Sequence, residues 1–423
     1  MSGAMLSPAL QAISHDLGSS KAQAQAIMSI YILAFAIGPM VLAPFSEVFG
    51  RRVIWISCTA LYVIWSIAAG FSQSTGALIA FRILGGLAAS AEMVVSMPML
   101  ADCWRSEQRG KSYMINNFLP LLGPAIGPVI GGVVTQKLNW RWIFWVLAIY
   151  DGILLIGGFF ILPETCAAVL LGRKAAKLKK ETGLPYYAKG LDEPLGKRIS
   201  RSLLRPSCLL LTHPFIQVMA VLMAYSFGLL YLSLSTFATL WITRYHQSEL
   251  VSGLHYFSLA TGYLIASQVG GRLMDWVWAY FKRQSGGTKT APEYRVPMMV
   301  PGTVLVPAGL LLYGWTAQNR VHWIVPDIGM VIFGCGFISS QQAMSSYVTE
   351  AYLEYVASAM AATQFLRNIA AFCFTLFAPS MFDSIGYGWG NSILAFANMA
   401  LFFPAPILLW LYGARLRAMG NLE

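Results

Sequence analysis

Residues 25–71 read QAIMSIYILAFAIGPMVLAPFSEVFGRRVIWISCTALYVIWSIAAGF. They hold two apolar stretches, 25–45 and 53–71, split by a short loop whose charges are Glu47, Arg51 and Arg52. A helix rises about 1.5 Å per residue, so about 20 apolar residues cross a hydrocarbon core of about 30 Å. The same pattern recurs at 77–100, 113–135, 143–162, 214–238, 253–271, 296–315, 323–342, 356–382 and 390–412. Five expected spans precede the one long polar segment, 163–213, and six follow it. The sequence therefore divides into an N-terminal transmembrane half (1–162), a cytoplasmic central loop (163–213) and a C-terminal transmembrane half (214–423).

Composition supports the same reading. Of 423 residues, 57% are hydrophobic and 11% charged, against about 25% charged in an average soluble domain. Lipid is the solvent for most of this chain, and the fold class is an all-α membrane protein. The net charge of +11 is an orientation signal. With 163–213 placed inside, 22 of the 29 Lys and Arg fall in inside loops, five outside, and Arg82 and Arg367 within spans, as the positive-inside rule requires. The basic residues cluster on no soluble module, so no nucleic-acid partner is expected. Within the central loop, 167–181 alternates Val169, Leu170, Leu171, Ala175 and Leu178 with Arg173, Lys174, Lys177, Lys179 and Lys180. That stretch suits either the anionic inner leaflet or a solvated helical linker.

Several chemistries find no support. The six cysteines are scattered singly, without zinc or disulfide spacing. There is no phosphate-cradling Gly-Lys-Ser/Thr loop, and neither a zincin nor a hydrolase nucleophile motif. No cofactor, no metal and no enzymatic activity are expected. The five histidines read as ordinary interfacial residues.

The loop Ala43-Pro44-Phe45-Ser46-Glu47-Val48-Phe49-Gly50-Arg51-Arg52 resembles the inner-loop motif of the major facilitator superfamily, with Ala43 in place of glycine and Glu47 in place of aspartate. Gly271-x-Leu273-x-Asp275 repeats the frame in the second half, and Ala101 to Lys111, with Asp102 and Arg109, has a degenerate counterpart in Glu350 to Ser358. The resemblance is to the fungal drug:proton antiporter branch with twelve spans, and it covers residues 7–417. It implies two pseudo-symmetric helical halves. It also implies a conformational latch of charge pairs involving Glu47, Gly50, Arg51, Arg52, Asp102, Arg109 and Asp275, although Arg51 and Arg52 serve equally as plain positive-inside anchors. Eleven spans against twelve point to an absent first helix, with Met1 to Ser20 resembling that helix's tail and outer loop.

The string Gly123-Pro124-Ala125-Ile126-Gly127-Pro128-Val129-Ile130-Gly131-Gly132 resembles the family's antiporter motif on its fifth helix, which marks exporters that exchange substrate for protons. Gly123, Gly127 and Gly131 fall at i, i+4 and i+8, a smooth stripe on which another helix packs closely, while Pro124 and Pro128 add a kink. Trp140 to Trp145, Leu162-Pro163-Glu164-Thr165 and Gly386 to Ser392 also match the branch.

Ionisable groups inside a span are costly and are functional candidates. Arg82, in Phe81-Arg82-Ile83-Leu84-Gly85-Gly86, matches a motif whose arginine the resemblance associates with proton coupling; snorkelling to the interface is the plain alternative. Glu92 lies ten residues on, about 15 Å deeper, and is the best carboxylate for taking up and releasing a proton. A structural, hydrogen-bonded glutamate is the other reading. Asp151 ranks lower, because the resemblance puts its helix outside the bundle. Arg367 is expected to pair with Glu350, Glu354 or a backbone carbonyl. Asn116, Asn117, Tyr225, Tyr231, Gln268, Gln341 and Gln342 are substrate-path candidates, since aromatic faces with a few polar groups suit bulky organic molecules; tyrosines also serve as interface anchors.

The expected function is proton-coupled export of a hydrophobic or amphipathic small molecule, such as a fungal secondary metabolite, toxin or drug, by alternating access. An importer of a nutrient or polyamine and a transport-inactive truncated relative are the alternatives. The expected partners are the substrate, protons and the lipid bilayer, for a monomer in the plasma membrane or, alternatively, the vacuolar membrane.

Overall fold

The computed structural model describes residues 2–3, 5–103, 123, 126–183, 204, 206–284, 291–352 and 356–419. Every regular element among them is helical. In chain order these are α1 (Leu10–Asp16), α2 (Lys21–Phe49), α3 (Arg51–Gly70), α4 (Thr75–Cys103), α5 (126–137), α6 (Arg141–Ile161), α7 (Ala167–Thr182) and α8 (206–212). They continue with α9 (Pro214–Thr243), α10 (Glu249–Leu254), α11 (Tyr256–Gln284), a 3-10 segment (Pro292–Met299), α12 (Val300–Gln318), α13 (Ile324–Ala351), α14 (Val356–Phe402) and α15 (Pro404–Ala418). Eight stretches among the described residues are long and apolar enough to cross a membrane, one of which, Ser358–Ala418, takes in both of the last two expected spans.

The residues pack as two units: a first of residues 1–29, 120–140 and 209–423, and a second of 30–119 and 141–208. In the second unit, α2 and α4 approach at small residues. A Cβ on Gly86 would stand 2.7 Å from the carbonyl oxygen of Tyr31, and one on Gly38 would collide with the Ser90 side chain. Helix α6 turns Ile149, Ile153, Ile156 and Phe160 outward, at the spacing of one helix face, and buries Ile143, Phe144, Leu147, Ala148 and Asp151. With lipid as solvent, an apolar outer stripe costs nothing, so the buried face is where side-chain identity carries information.

The first unit has two apolar cores. One gathers Phe237, Trp241, Tyr256, Tyr313 and Phe333, with Phe237 edge-on to Tyr256 at 4.9 Å, the geometry that ring quadrupoles favour. The other gathers Phe215, Met219, Met299, Met344 and Tyr347. The amino-terminal segment belongs here. Met5, Leu6 and Ile13 are fully buried; the Ser7 hydroxyl lies 2.9 Å from that of Tyr256, and both donate to the carbonyl of Leu234. Helix α14 is broken at Gly386, whose φ of 78° suits glycine. Gln318 Oε1 accepts the Gly388 N–H there at 2.7 Å, replacing a lost helical bond.

Candidate transport site

The charged loop between the first two spans is ordered by a carboxylate from far along the chain. Gly50 caps α3 with φ 104°, and a Cβ there would collide with the carboxylate of Glu164. That carboxylate accepts the N–H groups of Arg51 at 3.0 Å and Arg52 at 3.3 Å, and that of Cys166 at 2.9 Å. A helix amino terminus presents unpaired N–H groups and a positive dipole end, so an anion fits. The Arg51 side chain pairs with Asp102 at 3.3 Å and donates to Ser46 Oγ at 3.2 Å. Arg52 donates to the Phe159 carbonyl at 2.7 Å. The fold thus brings together Gly50, Arg51, Arg52 and Asp102, and adds Glu164, which the sequence quoted within a motif without giving it a role.

The first unit holds an analogous pair. Arg295, leading into α12, contacts Glu350 near the end of α13 at 2.8 Å, as Arg51 of α3 contacts Asp102 of α4. Glu293 is held by Arg417 and accepts from the Tyr347 hydroxyl at 3.4 Å. The Arg51 and Asp102 side chains are 14% and 28% exposed, so their coupling belongs at about 0.2–1 kcal/mol. A double-mutant cycle of Arg51→Ala and Asp102→Ala, read by thermal melting, should return a value in that range. The side chains of Glu47 and Asp275, and all of Arg109, Asn116 and Asn117, lie outside the described residues.

Arg82 is 3% exposed. Its guanidinium lies 4.1 Å from the centre of the Tyr31 ring, beside a small cavity lined by Tyr62, Trp65 and Phe144 among others. A cation over a ring face recovers part of the cost of leaving water. Glu92, on the same helix, is exposed on the protein surface, and Tyr150 and Asp151 of α6 lie within its electrostatic reach. Asp151, ranked below Glu92 in the sequence, is buried on the inner face of α6.

The glycine motif lies in the first unit. Gly123 and Gly127 are buried, and Gly131 and Gly132 serve as contact surfaces. A Cβ on Gly132 would stand 2.6 Å from the backbone oxygen of Glu249, and one on Gly131 would collide with that of Met5. From the other side, a Cβ on Gly253 would stand 2.8 Å from the Pro128 carbonyl oxygen. Backbone therefore meets backbone between α5 and α10. Burial raises the Glu249 carboxyl above the usual glutamate range at this end of the contact.

The substrate-path candidates separate. The Tyr225 hydroxyl is spent on the carbonyl of Leu394 at 2.7 Å, and its ring packs edge-on to Phe374. Tyr231 is half-buried on α9 beside Phe227. Gln268 is exposed; Gln341 and Gln342 are half-buried, and Gln341 Oε1 is buried without a hydrogen-bond partner. His255, read as an ordinary interfacial residue, is buried: its Nδ1 lies 2.6 Å from Asp327 Oδ2 and its Nε2 2.8 Å from Gln247 Oε1, with the ring stacked on Trp241 at 3.7 Å. Nothing in the local sequence marks it, because its partners come from three other elements.

A family model described as the Major Facilitator Superfamily matches residues 1–375. The chain belongs to that superfamily. This facilitator chain is similar to a probable efflux pump, mfs2, of Aspergillus flavus, with 39% identity over 420 residues that cover 98% of each chain. It is also similar to the efflux pump vrtL of Penicillium aethiopicum, with 39% identity over 424 residues covering 100% of this chain and 84% of that one. In fold it resembles the xylose transporter XylE from E. coli in a partially occluded inward open conformation: the TM-score is 0.67 at 16% identity, covering 97% of this chain and 95% of that one. The expected helical facilitator fold is thus observed, and the chain is a multi-pass membrane protein of a transporter superfamily.

Proposed function

We propose that this facilitator exports hydrophobic or amphipathic small molecules in exchange for protons, by alternating access across the plasma membrane. The observation that carries the reading is the 39% identity, over nearly the whole of both chains, to a fungal protein described as a probable efflux pump. The backbone-to-backbone contact at Gly131 and Gly132 supports it, since a glycine seam is a joint that an exchanger can open and reseal without side chains in the way. In this reading 1–162 and 214–423 are the two moving halves, joined by the cytoplasmic segment 163–213, and the charge pair Arg51–Asp102 helps to hold one conformation. A proton moving inward down 100 mV releases about 2.3 kcal/mol, enough for roughly fifty-fold accumulation.

Proton coupling is assigned to Glu92, with Asp151 tuning its affinity and Arg82 as the fixed positive charge on the same helix. Two carboxylates within electrostatic reach resist ionising together, which suits uptake and release of one proton. The test uses cells expressing the protein and loaded with a labelled lipophilic compound. Export that collapses with a protonophore is expected. Glu92→Gln should abolish uphill export while leaving downhill exchange. Retention of label unaltered by the protein, or export indifferent to the protonophore, overturns the proposal.

A further inference from the structure

Arg367 of α14 is 8% exposed within a membrane-crossing stretch. Its guanidinium carbon lies 3.9 Å from the centre of the Phe227 ring on α9, and its Nε has no hydrogen-bond partner. Glu350, one carboxylate the sequence offered as a partner, is occupied by Arg295; the other, Glu354, lies outside the described residues. Among the described residues no carboxylate forms an ion pair with Arg367. An enclosed cation without a counter-ion is expensive, and a cation–ring contact offsets only part of that cost.

Its surroundings describe the rest of the ligand. Tyr231, one turn along α9 from Phe227, lies within electrostatic reach of the guanidinium. Phe337 of α13 packs against Phe227 at 5.6 Å, and one turn beyond it Gln341 offers the unpartnered Oε1. The setting thus combines flat apolar ring faces with a guanidinium whose planar fork matches a carboxylate with two parallel hydrogen bonds.

We infer that Arg367 is the head-group anchor of a substrate subsite on α9, α13 and α14 that takes amphipathic organic acids, an aromatic body carrying a carboxylate. This rests on the reading of the protein as a transporter of amphipathic molecules and adds the charge of the molecule it takes. Binding is tested apart from transport, so that failure of either reading is distinguishable. Purified full-length protein in detergent is titrated with 1-naphthylacetate and with its neutral methyl ester, and ligand-induced thermal stabilisation is read. The acid is expected to stabilise the wild type in a saturable way and the ester to bind at least about tenfold more weakly, the loss of one charge-assisted contact. Arg367→Gln should lose the preference for acid over ester, and Arg367→Lys, which keeps the charge but not the fork, should keep part of it. Equal binding of acid and ester by the wild type, a reading that needs no variant to fold, overturns the inference. So does an Arg367→Gln protein that still prefers the acid. Protonophore-sensitive export of a neutral compound, measured separately, reports on the transport reading alone.

Discussion

Replacing Gly132 by valine is expected to lower the melting temperature of the detergent-solubilised protein sharply and to deplete it from the membrane. The reason is geometric. A Cβ at this position would stand 2.6 Å from the Glu249 carbonyl oxygen and 3.1 Å from its carbon. Backbone atoms cannot rotate away as a side chain does, so α5 and α10 must separate, and the Gly253 contact with Pro128 on the same seam opens with them. Overpacking of a close-packed contact costs about 1–3 kcal/mol, a large share of a marginal stability. Gly132→Ala should fall between wild type and valine. Valine and wild-type proteins that melt together would show that the seam yields freely, and the role of the glycine motif as a tight joint would be lost with it.

Glu164→Ala is the second large effect. The carboxylate satisfies the first two N–H groups of α3, at Arg51 and Arg52, and ties them to the Cys166 N–H of the following segment. Removing it orphans partly buried donors at a helix terminus, at about 1–3 kcal/mol, and removes an anion from the positive end of the dipole. That exceeds the value given above for the Arg51–Asp102 pair, so Glu164→Ala should melt below Arg51→Ala. Glu164→Gln, which keeps an acceptor, should recover part of the difference. The reverse order of melting would make the ion pair, not the cap, the principal fastening of this loop.

These two cases show what kinds of information a sequence carries. Gly132 is legible as part of the glycine motif, whose repeat Gly123, Gly127 and Gly131 marks a contact face; the partner that Gly132 meets, α10, is not. Glu164 was visible as part of a short motif, yet its role depends on a residue pair 113 positions apart. Arg367 was recognised as a charge in a span. The sequence offers it Glu350, Glu354 or a backbone carbonyl as partners, and of these Glu350 pairs with Arg295 of another element instead. Asp151 ranks low in the sequence because the resemblance puts its helix at the periphery; α6 does expose Ile149, Ile153 and Ile156, and Asp151 lies on its opposite, buried face.

The sequence by itself determined the helical membrane class and the likeness to facilitators, and its basic loops set the expected orientation. Each of these follows from hydropathy, charge asymmetry or short motifs, which are properties of consecutive residues and need no knowledge of neighbours. Tertiary structure alone decided that Glu164 caps α3, that Asp151 lies on the buried face of α6, that His255 is enclosed by Trp241, Gln247 and Asp327, and that Arg367 lies on Phe227 with no ion-pair partner among the described residues. In lipid an apolar helix is soluble on every face, so hydrophobicity does not say which face turns inward. That choice is made by small residues and by the few polar groups seeking partners, and it becomes readable once the helices are packed.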